Sequence, residues 1–354
     1  AVNAPWLVAI LEHPARFLVV TFFLVGMVGA VLLTLPAATT RPGQIAFVDA
    51  VFTSFSATCV TGLAVLDTPH DFTLFGQAVI LGLIQVGGLG IMVFSTAVLL
   101  LLGERLSIRQ EGVAAEILGA RQDQVGGVLR NVLLVTFGTE LLGAVLLAAL
   151  FVGQGDTVAM GVWRGLFTSV SAFCNAGFAL QSDSLVPYQT NPWILHIVAL
   201  VIILGGLGPM VVVQLPEWLR TRRIGLQSRL VIWTTLLLLL IPALLIALVE
   251  WSGTLASLSP TDKLTNAWFQ SVTLRTAGFN SIDLAAVQPA VLTLMLGLMF
   301  KDGVPGGLAM AQIGCQRALA GRRQPGRQRH HRSGQPWAGY QHPRQDPERP
   351  MKQQ

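Results

Sequence analysis

Three short phrases in this chain share one chemistry. Residues 52–63 read Phe-Thr-Ser-Phe-Ser-Ala-Thr-Cys-Val-Thr-Gly-Leu, and residues 167–178 read Phe-Thr-Ser-Val-Ser-Ala-Phe-Cys-Asn-Ala-Gly-Phe. Residues 269–279 read Phe-Gln-Ser-Val-Thr-Leu-Arg-Thr-Ala-Gly-Phe, one residue shorter. None contains Asp or Glu, so the groups on offer are main-chain carbonyl oxygens. Such oxygens can replace the hydration shell of a cation without placing a fixed charge in its path. Gly62, Gly177 and Gly278 tolerate positive φ, which lets successive carbonyls point the same way. A β-branched or bulky residue at those places is expected to resist that conformation. The candidate ligands are the main-chain oxygens of Thr58, Cys59, Val60, Thr61 and Gly62; of Phe173, Cys174, Asn175, Ala176 and Gly177; and of Leu274, Arg275, Thr276, Ala277 and Gly278.

The flanking text says what must hold these phrases. The chain is 53% hydrophobic and only 12% charged, about half the charge of a soluble domain. Its mean hydropathy is +0.63. Apolar runs at residues 17–35, 78–102, 131–152, 192–215 and 230–249 are each long enough to cross a hydrocarbon core of about 30 Å. The first run is too long for a signal-peptide core and reads as a spanning helix. Before each glycine the segments are short. Residues 50–58 or 163–173, as helix, rise only about 15 Å, half a crossing, and must turn back. Irregular backbone at that depth is tolerated only against protein or a water-filled cavity. Each phrase is therefore expected to be a pore helix followed by an extended strand, in an all-α polytopic membrane protein built of helix–pore-loop–helix repeats. The pore-helix C-termini would add partial negative charge facing a cation.

The net charge of +5 does not point to nucleic acid. Arg105, Arg109, Arg121 and Arg130 fall between two apolar runs, and Arg220, Arg222, Arg223 and Arg229 between two others, with much of the remainder after residue 300. Alternate loops are poor in cations, so the basic loops are placed in the cytoplasm. Three cysteines suggest no disulfide framework. Cys59 and Cys174, at one position of two repeats, are expected to pack as small apolar residues. A membrane-embedded enzyme would need convergent catalytic side chains, and the sequence shows no such set.

A second repeated phrase follows the first two loops: Gly87-Gly88-Leu89-Gly90 and Gly205-Gly206-Leu207-Gly208. Two readings stand, close helix packing or a helix break beside the conduction path, with Pro209 adding a kink in the second copy. The motifs Thr58 to Leu63, Cys174 to Phe178 and Arg275 to Phe279, with the Gly-Gly-Leu-Gly helices and Leu102-Gly103-Glu104-Arg105, resemble the Ktr/Trk/HKT superfamily of potassium transporters over roughly residues 11–300. The Ktr-type membrane subunit is the nearer match. The resemblance implies four repeats around one pore, potassium (K+) as the transported ion, sodium (Na+) as a stimulating ion, and a homodimer with one pore per subunit. It also implies a cytosolic nucleotide-binding regulatory subunit as partner and a multi-pass location in the bacterial cell membrane.

On this pattern the chain divides into a first repeat at 11–102, a cytoplasmic link at 103–127, a second repeat at 128–220, a third at 228–300 with its second helix incomplete, and a basic tail at 301–354. After Phe300, Arg, Gln, Gly, Pro and His dominate. That tail reads as disordered, from a truncated or frameshifted frame, with a genuine regulatory tail as the alternative. The fourth repeat is then missing, and a nonconducting product or membrane scaffold is the rival to an ion path. Glu140 lies in an otherwise apolar run, where a charge is paired or functional. Arg275 is one candidate partner; a protonated or hydrogen-bonded carboxyl is the other.

Overall fold

The computed structural model describes residues 14–41, 43, 45–104, 125–208, 211–212, 218, 220 and 226–302. Nine helices of more than one turn order these residues into three like units. They are α1 (Pro14–Leu33), α2 (Phe47–Thr58) and α3 (Leu74–Glu104); α4 (Val125–Gly153), α5 (Val158–Phe173) and α6 (Pro192–Leu207); and α7 (Leu226–Glu250), α8 (Pro260–Thr273) and α9 (Pro289–Asp302). Within these, residues 130–153 and 232–250 are long and apolar enough by themselves to cross a membrane. The tail beyond residue 302, the link at 105–124 and most of the second basic loop lie outside the described residues.

The short middle helices begin and end on local chemistry. Thr157 and Ser259 cap α5 and α8 by accepting from the N–H groups of Met160 and Asp262, the expected helix-start chemistry. Pro260 occupies the first position of α8, where the missing N–H costs nothing. The helices α2, α5 and α8 have 12, 16 and 14 residues; α2 and α5 begin earlier than the expected 50 and 163, α5 at its Thr157 cap and α2 at Phe47 with no side-chain cap. All three still fall short of a full crossing.

One hydrogen bond recurs in each unit and seats the middle helix on the helix before it. Ser54 Oγ donates to the Gly26 carbonyl at 2.7 Å, Ser169 Oγ to Glu140 at 2.7 Å, and Ser271 Oγ to Leu239 at 2.6 Å. Ser54 and Ser169 are fully buried and Ser271 nearly so. A hydroxyl in that setting can donate to the carbonyl of a neighbouring helix that already holds its own intrahelical bond. These bonds also fix the correspondence between units: Gly26, Glu140 and Leu239 occupy one position.

The Gly-Gly-Leu-Gly phrases answer to close packing in both copies and to a helix break in the second. A Cβ on Gly87 would run into the Thr58 carbonyl oxygen, and one on Gly205 into that of Phe173. Thr58 and Phe173 are the last residues of α2 and α5, so the first glycine of each phrase is where the long helix meets the end of its own pore helix. The helix α3 then continues through its phrase. The helix α6 instead stops at Leu207 and turns at Gly208, which sits at φ +79°. The expected run to residue 215 is therefore shorter as a helix. Pro209 lies outside the described residues.

Between units the pattern is sequential. Helix α3 packs on α5, and α6 on α8. The core follows these seams. One cluster joins Leu33, Ala50 and Ile84 of the first unit to Phe167, Cys174 and Phe178 of the second. Another joins Leu147, Phe173 and Ile202 of the second to Phe269, Ala277 and Phe279 of the third.

Two consequences are measurable as shifts in the unfolding midpoint of the detergent-solubilised protein. Gly87→Ala and Gly205→Ala push a methyl group into backbone that cannot rotate away, and each should cost about 1–3 kcal/mol. Gly82→Ala, where the added atom meets open space, should be neutral or mildly stabilising. Removing the hydroxyl in Ser54→Ala, Ser169→Ala or Ser271→Ala should cost about 0.6–1 kcal/mol each, the range of interhelical hydrogen bonds in membranes.

Candidate functional site

The pore helices release the chain into the candidate strands by nearly the same device. At the end of α2 the Val60 N–H donates to the Ala57 carbonyl at 3.2 Å and the Thr61 N–H to Ser56 at 2.9 Å. At the end of α5 the Asn175 N–H donates to Ala172 at 3.1 Å and the Ala176 N–H to Ser171 at 2.7 Å. Both are Schellman endings, which demand a left-handed residue just beyond the cap. Val60 and Asn175 supply it, each at φ +57°. The third strand reaches the same state one residue later, with Thr276 at φ +69°, after the Ala277 N–H bonds back to Thr273 at 2.9 Å.

Two residues past each of these, the glycine is left-handed again: Gly62 at φ +74°, Gly177 at +72° and Gly278 at +79°. In an ordinary strand successive carbonyls alternate sides. Left-handed residues at every second place turn alternate peptides over and bring the carbonyls into line. Sequence reasoning located the glycines and missed their partners Val60, Asn175 and Thr276. Asn tolerates the left-handed region; Val and Thr do not, and each costs about 1–3 kcal/mol there. The expectation that a β-branched residue would resist such backbone is overridden at Val60 by the helix-ending hydrogen bonds and by packing under Gly87. The legible signal was the pairing of a repeated helix end with a glycine two or three residues on.

The three strands lie side by side in order. A Cβ built on Gly62 would come within 2.6 Å of the Ala176 carbonyl oxygen, and one on Gly177 within 2.9 Å of that of Ala277. The same contact thus repeats between the first and second units and between the second and third. The remaining predicted ligands sit on this frame: Thr58, Phe173, Cys174, Ala176, Leu274 and Ala277 are buried, Gly62, Gly177 and Arg275 half-buried, Thr276 and Gly278 exposed. Ser171 Oγ, donating to the Phe178 carbonyl at 2.7 Å, ties down the chain as it leaves the second strand.

Repetition exposes a missing contact. Phe167 and Phe269 are 0% exposed because each packs on the preceding unit, whereas the corresponding Phe52 is 40% exposed. Phe178 and Phe279, just past the glycines, are 3% and 0% exposed, and the corresponding Leu63 is 62% exposed. Cys174 is buried, as expected of both cysteines, but Cys59 is exposed. Among the described residues, the first unit has nothing on the face by which the other two dock on their predecessors.

Glu140 does not meet Arg275. Its side chain is 4% exposed and lies against Cys174, with Sγ to Oε1 4.0 Å, and against Gln85 of α3. The Gln85 Nε2 is buried and makes no hydrogen bond of its own, so Gln85 is a polar neighbour of the carboxyl. Arg275 instead lines a small pocket with Ile202, Ile203, Gly206 and Val272. Arg164 of α5 pairs with Asp156 at 2.9 Å.

Comparison with known proteins agrees with this architecture. Ktr system potassium uptake protein B of Bacillus subtilis (strain 168) is 39% identical over 292 residues, which cover 81% of this chain and 64% of that protein. Potassium/sodium uptake protein NtpJ of Enterococcus hirae is 36% identical over 300 residues, 84% of this chain and 66% of that one. The chain therefore spans just under two thirds of the length of these relatives. The crystal structure of the potassium transporter TrkH from Vibrio parahaemolyticus superimposes with a TM-score of 0.61 at 20% identity, over 86% of this chain and 61% of that one, and shares the fold. Residues 18–335 match the TrkH family, described as cation transport protein. The match runs past Phe300, where the resemblance by motif ended. With nine tenths of its length inside that match, this multi-pass membrane chain belongs to the TrkH cation transport protein family.

Proposed function

We propose that the chain is the pore subunit of a potassium uptake system and that its three strands form three sides of a carbonyl-lined selectivity filter. The observation that carries this reading is the recurrence of two left-handed residues, two places apart, at the end of each half-crossing helix. Nothing in helix packing alone calls for strained Val60 and Thr276 backbone three strands running. Lining up carbonyls does. Oxygens so aligned select by the number and field of their dipoles, and the lateral contacts at Gly62 and Gly177 hold them at a set spacing. The relatives' names support the ion: potassium uptake in one, potassium and sodium uptake in the other. Sodium is proposed as a second, stimulating ion on that basis.

The word "system" in the first relative's name supports a separate regulatory subunit, proposed here as a cytosolic nucleotide-binding partner of a homodimeric pore protein. The bilayer is the other partner. The repeats are proposed to run from 11 to 102, 128 to 220 and 228 to 300, joined by the link at 103–127.

One observation favours a rival reading. The exposed face formed by Phe52, Cys59 and Leu63 leaves the ring of strands open on one side. Three strands give an ion too few oxygens, and we propose that a fourth helix–loop–helix unit closes the ring. Without it the chain would be a nonconducting scaffold.

Growth of potassium-uptake-deficient cells at low potassium separates the two. Rescue by this chain alone would defeat the nonconducting reading. Rescue only when a fourth unit is joined or co-expressed would show that the open face must be filled. In whichever form conducts, Gly62→Ser should lower the potassium-to-sodium flux ratio at least tenfold, since its Cβ meets the Ala176 oxygen; an unchanged ratio would remove the filter assignment.

A further inference from the structure

The two contacts between units are built from corresponding residues with opposite chemistry. The recurrent serine bonds equate Glu140 with Leu239. The recurrent glycine contact equates Gln85 with Ile203, two places before Gly87 and Gly205. The left-handed pairs equate Asn175 with Thr276 and Gly177 with Gly278, and so Cys174 with Arg275. Where the first unit meets the second, the set is Gln85, Glu140 and Cys174. Where the second meets the third, it is Ile203, Leu239 and Arg275, and Leu239 is buried. The fold therefore accepts an apolar pair at the positions of Gln85 and Glu140, and the polar pair is not required to fill space.

Resting on the reading of the strands as a potassium filter, we propose that Glu140 is a positioning residue for cation selection, acting through the Cys174 thiol and the Gln85 side chain to set the second strand. Three observations carry it. The carboxyl is buried within the membrane, where a polar group without purpose is costly. Its Oε1 is 4.0 Å from Sγ of Cys174, and Cys174 is the residue at which α5 ends and the strand begins. The thiol also sits where Gly88 of α3 leaves room for it, since a Cβ there would strike Sγ. Held by one directional contact to α4 and seated in the space at Gly88 of α3, the Cys174 thiol fixes the main chain at its own Cα, one residue before left-handed Asn175. An apolar neighbour would press on the same backbone without orienting it.

The polar set also makes the path asymmetric. The second strand is entered through a thiol held beside Glu140, and the third through Arg275, which lines a pocket with Ile202, Ile203, Gly206 and Val272. A cation moving past three such strands meets one that is stiffer than the next. The expected consequence is a narrower tolerance of ion size at that side.

The test transplants one contact into the other. Gln85→Ile with Glu140→Leu copies the apolar pair found between the second and third units. Glu140→Gln keeps an acceptor oxygen at the same reach. The readouts are the midpoint of thermal unfolding in detergent titrated separately with potassium chloride and sodium chloride, and potassium uptake in deficient cells. The double variant should fold, with a salt-free midpoint near that of the unaltered protein, while the potassium concentration for half-maximal stabilisation rises about tenfold and the potassium-to-sodium preference falls. Glu140→Gln should restore most of that preference. Cys174→Ala should act in the same direction, and should add little when combined with the double variant, because the three residues act as one unit.

A double variant with unaltered potassium affinity and preference would overturn the inference and leave these residues as packing. Should the double variant not fold, Cys174→Ala and Glu140→Gln decide alone: Cys174→Ala unaltered in ion preference, or Glu140→Gln as impaired as Cys174→Ala, overturns it. If the unaltered protein, alone and also when completed by a fourth unit, is not stabilised by potassium and takes up none, the filter reading itself is overturned and this inference with it.

Discussion

Every turn of this structure answers one demand: peptide carbonyls inside a membrane must have partners. A half-crossing helix that turns back leaves irregular backbone where no lipid can hydrogen-bond it. Here that backbone is enclosed by protein on most sides and kept from collapsing into ordinary strand by paired left-handed residues. The strain at Val60 and Thr276 is held in place by hydrogen bonds at the helix ends and by the serine bonds that anchor each pore helix, and at Val60 also by the close seat on Gly87. Oxygens that cannot be satisfied by protein remain available to an ion. On the proposed filter reading, the cost of irregular backbone and the means of binding a cation are the same groups.

Much of this is legible in the amino-acid sequence. The apolar runs declare the spanning helices, and the repeated Gly62, Gly177 and Gly278 mark the strands because only backbone freedom explains a glycine at the same place three times. The Gly-Gly-Leu-Gly phrases are equally visible, but their two readings cannot be separated by sequence. Periodicity does not say whether a helix continues, and it is the left-handed turn at Gly208 that ends α6 where α3 runs on.

Other features are hidden for physical reasons. Val60 reads against its β-branched side chain, since local propensity disfavours the left-handed region. Propensity is a small term, and a helix end with two hydrogen bonds outweighs it. Ser54, Ser169 and Ser271 stand in plain repeat, yet a serine in an apolar helix has the same letter whether it bonds its own helix or the next. Charge alone assigns Glu140 a partner, and Arg275 is the obvious cation. The partner is chosen by where α3 packs on α5, the pore helix seated on α4, and that seam places Gln85 and Cys174 beside the carboxyl.

Quasi-symmetry makes the departures as informative as the repeats. Three units share their serine hydrogen bonds, their left-handed pairs and their helix order, so a residue that behaves differently in one unit reports on what surrounds it. Phe52 and Leu63 are chemically like their counterparts and differ only in having no preceding unit to cover them. Their exposure is thus a property of the assembly, not of the first unit. Gln85, Glu140 and Cys174 are the converse case. There the surroundings correspond and the residues differ, so the difference lies in what that contact does. A ring built from unlike seams need not present a cation with equivalent sides, and the polar seam beside the second strand is where the inequality begins.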